Sequence, residues 1–280
     1  IEVHNNAGYF SDISVIPFLT FGMKAAPAKA SGISERLVSA IKAVPFHTNF
    51  KIKSAGETLM LTSGPGVVAD SLDTGEIGED RTIGRKPSGG VGLVFFDVPT
   101  PGERNTAPAI FGEAETVEVL PLGGIFDNTV SIGLTVTSEI ASIRYTLDGS
   151  DPAETSALYT EAVVIDSTTV LKARAFERGK FDGPINTNTY LINEDIELPI
   201  ISISINPENL WDPDTGIYVK GNSDARGGYD MNQSKDTGNY YEDWEKPIHI
   251  EMYEPNGTQG FSIDAGMKIS GKNSRKHPQK

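Results

Sequence analysis

The segment of the chain most capable of chemistry is an acidic turn in which Asp148, Ser150 and Asp151 lie close together. Two carboxylates and a hydroxyl are the groups of a general acid–base or nucleophilic site. A paired-carboxylate enzyme, however, needs its acids several ångströms apart, across a cleft and in different environments. Acids within one tight turn are better explained as acceptors for nearby backbone N–H groups. The spacing therefore favours a structural turn, and we predict no catalytic residue in this chain.

Patterns for metal ions and phosphates occur elsewhere, but each is incomplete. His4 and His47 have no third ligand at a suitable spacing. The acidic run of residues 70–80 lacks the regular oxygen ligands of a calcium loop, so we interpret it as a solvated loop. Residues 266–272 fit most of a phosphate-binding P-loop, but Asn273 stands where that loop needs serine or threonine. We predict no metal site, and a plain strand and turn at residues 266–272.

Four aromatic residues in the last third of the chain offer a further kind of chemistry, because aromatic rings can form a platform on which sugars stack. In a β domain most such rings contribute to core or edge packing instead. We therefore favour packing, with sugar stacking as the alternative. The four residues are Trp211, Tyr240, Tyr241 and Trp244.

The composition limits the classes of protein that these residues can belong to. The 280 residues include 29 glycines and 17 prolines, which favours a turn-rich β protein. The net charge of −14 argues against nucleic acid as a partner, because an acidic surface repels phosphates. The absence of cysteine excludes disulfides and thiolate metal sites. No apolar run reaches 18 residues, so we expect no membrane-spanning segment.

Short alternating segments predict the elements that position these side chains. Ile143, Tyr145 and Leu147 alternate with polar residues, as in a strand with one buried face. Residues 246–253 and 260–270 are predicted to pair as an antiparallel hairpin across a Pro-Asn-Gly turn. Similar short runs recur along the chain. The pattern is typical of a mostly β protein.

One segment departs from this pattern. Between Ile33 and Ala43 the apolar residues recur at helical spacing, which predicts a short amphipathic helix. Either residues 10–45 form a helical insertion that contains it, or this segment completes the first module as strands; the sequence leaves both open. Breaker clusters at Pro99-Thr-Pro-Gly102 and at Pro108 divide this first strand-rich block from the next. We therefore expect separate modules on the two sides of residue 108.

The middle of the chain resembles a known family. The segments "IRYTLDGSDP", "SALYTEAVVIDSTTVLKARAF" and "TNTYLI" are similar to the chitobiase/β-hexosaminidase C-terminal module. That resemblance implies an Ig-like β-sandwich over residues 111–193. It also implies an accessory role, because in this family the module is usually a spacer or scaffold.

Residues 1–107 resemble the lamin tail domain, another Ig-like β-sandwich, found in nuclear lamins and in many bacterial surface proteins. The segments that carry the resemblance are "IEVHNNAG", "HTNFKIKSAGETLMLTSGPGVVADS", "TIGRKPSGG" and "FFDVPTPGERN". Between Tyr9 and Pro45 the chain departs from the family pattern, at the predicted helix.

Residues 198–280 resemble the start of the spore-coat CotH kinase family. The matching segments are "LPIISISINPENLWDPDTGIYVKG", "NYYEDWEKPIHIEMYEPNG" and "FSIDAGMKISGKNSRKHPQK". The resemblance implies an atypical protein kinase whose acidic metal-binding residues lie downstream of this block. It also makes Arg275 and Lys280 candidate ligands of nucleotide phosphates.

The sequence thus predicts a mostly β protein with two Ig-like β-sandwich modules and the β-rich N-terminal part of a kinase-like domain. We expect a non-catalytic, modular piece of an exported or cell-surface bacterial protein, of a Bacteroidetes-like type, that serves display, spacing or binding. Its partner would be a protein or glycan at the cell surface. One alternative is the targeting region of a CotH-type kinase, with ATP and Mg²⁺ bound by the intact protein and no cofactor bound by this piece. The other alternative is carbohydrate binding through the sandwiches.

Overall fold

The computed structural model describes residues 2–4, 53, 55–64, 67–78, 81–100, 103–195, 197–226 and 237–271. Its contacts divide the chain into two compact units, Ile1–Gly112 and Glu113–Lys280. The predicted helix at residues 33–43, the insertion over residues 10–45, His47, Arg275 and Lys280 lie outside the described residues. The division into modules 1–107, 111–193 and 198–280 stays a prediction.

The first unit contains five strands among its described residues: β1 (Glu2–His4), β2 (Thr58–Gly64), β3 (Val67–Asp73), β4 (Thr82–Arg85) and β5 (Leu93–Phe96). β2 is the central strand of an antiparallel sheet, with β1 on one side and β3 on the other. β4 and β5 form an antiparallel hairpin. Leu59, Leu72 and Phe96 are the large apolar side chains that these strands bury.

Asn105 joins the two segments that resemble the lamin tail domain most specifically. Its side-chain amide donates to the carbonyl of Arg85 at 2.9 Å, and its backbone N–H donates to Ser88 Oγ at 2.8 Å. The Thr100 hydroxyl donates to Asn105 Oδ1 at 2.9 Å. A Cβ at Gly84 would lie 2.7 Å from Asn105 Nδ2, so a larger residue here would displace the Asn105 side chain. The segments "TIGRKPSGG" and "TPGERN" therefore meet, while the family assignment of this unit stays a prediction.

The first part of the acidic run, residues 70–73, is part of a strand and not the solvated loop that we predicted. Asp70 and Asp73 belong to β3. Asp70 Oδ1 lies 2.7 Å from Arg85 Nη2, and Asp73 Oδ1 accepts a hydrogen bond from the N–H of Gly75 at 3.2 Å. A guanidinium therefore holds the first carboxylate, and a backbone N–H holds the second. The prediction was wrong here because β3 continues past its apolar residues at 67–69 to Asp73.

In the second unit, residues 113–195 form eight strands: β6 (Glu118–Leu120), β7 (Gly124–Phe126), β8 (Val130–Thr135), β9 (Ser142–Thr146), β10 (Ala157–Leu158), β11 (Val163–Ile165), β12 (Thr169–Phe176) and β13 (Asn186–Ile192). They make a five-stranded sheet in the order β10-β9-β12-β13-β7 and a three-stranded sheet in the order β11-β8-β6. β7 runs parallel to β13, and the other pairs are antiparallel.

Alternation along each strand builds the core between these two sheets. On β8, Val130, Ile132 and Leu134 are buried, while the residues between them are more exposed. Leu171 and Ala173 of β12 belong to the same apolar cluster as these three β8 residues. Because successive strand residues point to opposite faces, the period of two gives each sheet one apolar face. We refer to this pair of packed sheets as the sandwich.

The second unit continues with β14 (Ile200–Ile205), the helix α1 (Pro207–Trp211), β15 (Lys246–Tyr253) and β16 (Gln259–Met267). β15 pairs with β14 on one side and β16 on the other, both antiparallel, and we call these strands the C-terminal sheet. The predicted hairpin at residues 246–270 is confirmed, with Gly257 at a φ of +82° in its turn. The P-loop pattern is likewise part of a strand at Gly266 and Met267.

The structure is mostly β, as the sequence predicts, and the two-sheet sandwich agrees with the expected Ig-like module. No helix in the described ranges is long and apolar enough to cross a membrane. The kinase-like assignment of the C-terminal sheet stays a prediction.

Candidate functional site

A carboxylate is buried where the sandwich meets the C-terminal sheet. Glu251 of β15 is 1% exposed. Its Oε2 accepts a hydrogen bond from Thr189 Oγ1 of β13 at 2.6 Å, and its Oε1 accepts one from the Tyr253 hydroxyl at 2.6 Å. Ser202 of β14 completes the contact, with its Oγ 2.7 Å from Thr189 Oγ1. We call these four residues and Gly123 the polar junction.

The strand period explains why polar groups meet there. On β13, Tyr190 and Ile192 belong to the core of the sandwich, so Thr189 points to the opposite face. On β15, Glu251 and Tyr253 likewise alternate with the apolar residues of that strand. Two outward-facing polar rows therefore pack together, and the hydroxyls of Thr189, Ser202 and Tyr253 each have an oxygen partner. Ser204 Oγ, on the same face of β14 as Ser202, is buried without one.

Gly123 allows the close approach that the polar junction requires. A Cβ at this position would lie 2.5 Å from the Tyr253 hydroxyl oxygen and 2.6 Å from the carbonyl oxygen of Thr189. The backbone N–H of Gly123 donates to Asn188 Oδ1 at 2.9 Å, which holds this segment against β13. A larger residue at position 123 would collide with Thr189 of β13 and with Tyr253 of the C-terminal sheet, so one of them would have to move.

The environment of the polar junction raises the pKa of two tyrosines. Burial raises the pKa of Tyr253 above its ordinary value, and the hydrogen bond to Glu251 and the charge of that carboxylate raise it further. Burial also raises the pKa of Tyr190, with the charge of Glu251 as the second cause. Both hydroxyls therefore stay protonated and act as donors, that of Tyr190 to the carbonyl of Pro121, because burial disfavours the charged phenolate and the negative charge of Glu251 disfavours it further.

A second polar link connects the sandwich to the start of α1. Lys172, buried on β12, lies with its Nζ 2.8 Å from Asp151 Oδ1. The other oxygen of Asp151 accepts a hydrogen bond from Asn206 Nδ2 at 3.2 Å. Asn206 is the N-cap of α1, where its Oδ1 accepts from the N–H of Glu208. Asp151 therefore neutralises a buried lysine and at the same time anchors the helix.

The chemistry open to the polar junction is structural. A general acid or base must reach the group whose proton it moves. Glu251 is inaccessible, and both of its oxygens already accept hydrogen bonds from the protein. Across the described residues, no three histidine, aspartate or glutamate side chains converge as a metal ion would require.

The acidic turn holds its own backbone, as the sequence favours. Asp148 Oδ1 accepts hydrogen bonds from the N–H of Ser150 at 3.0 Å and from its hydroxyl at 2.5 Å. The hydroxyl bond, followed by the backbone bond, lowers the pKa of Asp148. Asp151, in contrast, does not cap this turn but binds Lys172 and Asn206, partners that its position in the sequence does not reveal.

The four aromatic residues do not form a single platform. Tyr240 and Tyr241 are buried and stack edge-on with ring centroids 4.7 Å apart, which agrees with packing. Trp211 is 52% exposed and contacts Tyr218 edge-on at 5.3 Å. Lys246 Nζ lies over the ring of Trp244, 5.6 Å from the ring centroid.

The two candidate ligands of nucleotide phosphates predicted from the sequence, Arg275 and Lys280, lie outside the described residues, so their roles stay a prediction. Glu251 was not predicted. In the sequence this residue is one polar position of an alternating strand, which is how a solvent-exposed side chain also appears. Its burial and its contact with Thr189 distinguish it, and that contact joins residues far apart in the chain.

The two packed sheets of residues 113–195 define the protein class of this region as an Ig-like β-sandwich module. Within it, residues 121–187 match the family model of the chitobiase/beta-hexosaminidase C-terminal domain. The match begins before β7 and ends in β13, so it covers less than half of the chain and identifies the module alone. No curated protein matches this chain.

Proposed function

We propose that this chain is a non-catalytic, modular part of an exported or cell-surface bacterial protein and serves display, spacing or binding. The match to the chitobiase/beta-hexosaminidase C-terminal domain supports an accessory module. The observation that carries the proposal is the polar junction, in which Glu251 bridges Thr189 and Tyr253. Buried polar contacts of this kind specify one arrangement of two packed sheets.

The role that follows for the sandwich is that of a rigid support for the C-terminal sheet. A flexible spacer needs an exposed linker with few contacts across it. Here, contacts cross between the two at Thr189–Glu251 and again at Asp151–Asn206. A support of this kind holds whatever the C-terminal sheet carries at a defined distance and orientation from the rest of the protein.

Hydrogen exchange read out by mass spectrometry tests this support role. Replacing Thr189 with valine removes one hydroxyl from Glu251 and preserves the shape of the side chain. We expect faster exchange both in β13 and in β14–β16, because the two regions open together. The matched control is Thr160→Val, at an exposed position of the same module. If exchange changed in β13 alone, the sandwich would be an independent spacer.

The second candidate function is the targeting region of a CotH-type kinase. The three segments that resemble that family contribute β14, β15 and β16, which form one antiparallel sheet. In the intact protein, ATP and Mg²⁺ would be the cofactors, and Arg275 and Lys280 would contact the phosphates. The third candidate function is glycan binding by the sandwich.

An assay with labelled ATP and Mg²⁺ tests the non-catalytic assignment. Phosphoryl transfer needs metal-held phosphates and a positioned base, and the resemblance to CotH kinases puts these acidic groups downstream of residues 198–280. We expect hydrolysis and transfer to equal those of a buffer blank. Turnover that survives repurification and disappears in a Lys280→Ala variant would instead assign the chain to the kinase itself.

A further inference from the structure

One open depression lies on the sandwich at the edge of its five-stranded sheet. Its volume is about 480 Å³, within the range of about 300–1,000 Å³ that is typical of small-molecule sites. We call it the edge notch. It is lined by Tyr145, Thr146, Leu147, Asp148, Ser150, Ser156 and Ala157.

The edge notch exists because β10 is too short to cover its neighbour. β10 has only two residues, Ala157 and Leu158, which pair with Tyr145 and Arg144 of β9. β9 continues to Thr146 and then enters the acidic turn, so the space beside the end of β9 is left open. A turn closes the opposite side, where the N–H of Ser156 donates to the carbonyl of residue 153 at 2.9 Å.

The notch presents a carboxylate that is already oriented. Two hydrogen bonds from Ser150 hold Asp148 Oδ1, and they lower the pKa of this group, so it is ionised at neutral pH. Oδ2 accepts no hydrogen bond from any other described residue. An ionised acceptor whose geometry is fixed by the protein loses little conformational entropy when a ligand donates to it.

Apolar surface and hydroxyls surround this carboxylate. Leu147 is 42% exposed although it continues the apolar alternation of β9, and Tyr145 lies half-buried beside it. The Ser150 hydroxyl donates to Asp148 and can still accept, and the Ser156 hydroxyl, which accepts from the N–H of residue 153 at 3.0 Å, can still donate. A ligand that fits this lining must present many hydroxyls together with patches of C–H surface. Sugars have this chemistry.

We propose that the edge notch binds a short, neutral oligosaccharide. An extended peptide, which would add a strand to the sheet edge, is a poorer fit. Strand addition needs a free run of backbone along the edge. In the notch that run is occupied by β10 at one end and interrupted at the other by the acidic turn, where Gly149 takes a φ of +81°.

The test is a titration of the whole chain with tetrasaccharides of glucose, N-acetylglucosamine and xylose, followed by the backbone amide signals of residues 145–157. We expect at least one sugar to shift these signals in a saturable manner. No shift with any of the sugars would overturn the proposal. A shift with an extended valine–threonine peptide and with none of the sugars would replace it with strand addition.

A substitution then assigns the binding to the carboxylate. Asp148→Asn keeps the turn, because asparagine makes the same side-chain hydrogen bond to the backbone, and it removes the charge. We expect affinity to fall roughly tenfold or more, as for the loss of a charge-assisted hydrogen bond. The matched control is Asp166→Asn, in an exposed Asp–Ser turn of the same module outside the notch.

Leu147→Ala is an independent variant at an exposed position, which removes C–H contact surface and leaves the fold intact. We expect it to weaken binding several-fold with an unchanged melting temperature. If the Asp148 and Asp166 variants bound the sugar equally well, or if the Leu147 variant bound like the parent, the edge notch would not be the binding site.

Discussion

In the sandwich, β8 and β12 pack their apolar side chains against each other. In the C-terminal sheet, by contrast, β15 packs a glutamate and a tyrosine against the sandwich. The apolar face of the C-terminal sheet is instead largely open. Ile201, Ile203 and Ile263 are exposed by 51%, 56% and 49%. Their strand partners, Met252 and Ile250 of β15, are half-buried.

The difference shows that the sandwich and the C-terminal sheet are stabilised by different interactions. Burial of a large aliphatic side chain in the sandwich contributes roughly 1.5–3 kcal/mol. A hydrogen bond at the polar junction contributes about 1 kcal/mol, because folding exchanges it for bonds with water. Apolar burial therefore stabilises the sandwich, while the C-terminal sheet depends more on the correct pairing of polar groups. We expect four measurements to separate these contributions.

The largest effect is expected in the sandwich core. Ile132→Ala removes a fully buried side chain, and we expect the free energy of unfolding to fall by about 2–5 kcal/mol. Urea denaturation followed by fluorescence measures it. Ile203→Ala is the control, because more than half of this side chain is already in water, and it is expected to cost under about 1 kcal/mol. Equal costs at both positions would contradict the comparison.

The next effect concerns the buried carboxylate. Glu251→Ala leaves the hydroxyls of Thr189 and Tyr253 without their acceptor, and we expect a loss of about 2–3 kcal/mol. Glu251→Gln retains one carbonyl oxygen and is expected to cost less. Glu161→Ala, at an exposed position, controls for the loss of one negative charge. If Glu251→Ala cost no more than this control, the polar junction would contribute nothing to stability.

The third effect is a pH dependence that belongs to the polar junction. The pKa of Tyr253 is raised in the folded protein, so its contribution to stability is fully present below the ordinary tyrosine pKa of about 10 and is lost as pH rises above it. We expect the free energy of unfolding to fall steeply above about pH 10. Tyr253→Phe lowers stability at neutral pH, because Glu251 loses a donor, but it makes the alkaline fall shallower.

The remaining alkaline dependence of that variant is expected to come partly from Tyr190, whose pKa is raised by the same burial and the same carboxylate. Urea titrations of parent and variant at a series of alkaline pH values give both slopes. Identical slopes would show that Tyr253 does not ionise on unfolding in this range.

The smallest effect is expected at the open apolar face. Ile263→Thr keeps the β-branched shape and adds a hydroxyl where the side chain is half in water, so we expect a change within about 0.5 kcal/mol. The same substitution should reduce binding of an apolar fluorescent dye. Unchanged dye binding together with a large loss of stability would mean that this face is covered in solution.

The strands of the sandwich could be predicted because their apolar residues recur with a period of two, as at Val130, Ile132 and Leu134. The hairpin of β15 and β16 could be predicted for the same reason, together with its Gly257 turn. Both signals are local, since each depends on residues within one or two strands. Leu147 shows the limit of such signals, because it follows the apolar alternation and is still exposed at the edge notch.

The polar junction could not be predicted, because its physical basis is not local. Thr189, Ser202 and Glu251 each occupy the polar face of a strand, and the sequence does not say that these faces meet. Asp151 illustrates the same point, since its place in a turn indicated a backbone acceptor and its partners are a lysine and a helix cap. The edge notch depends on β10 having only two residues, and the ends of a strand cannot be predicted from the sequence with that accuracy.

The short hydroxyl side chain of Thr189 on the outer face of β13 has a consequence for how such a module can be joined to other proteins. Thr189 is buried here against Glu251, but a module without the C-terminal sheet would present it to water, where its hydroxyl is readily hydrated. An aliphatic face exposed in the same way would become an aggregation site. A contact made through a hydroxyl can therefore be joined to a new neighbour, or left without one, at less risk to solubility than an aliphatic contact.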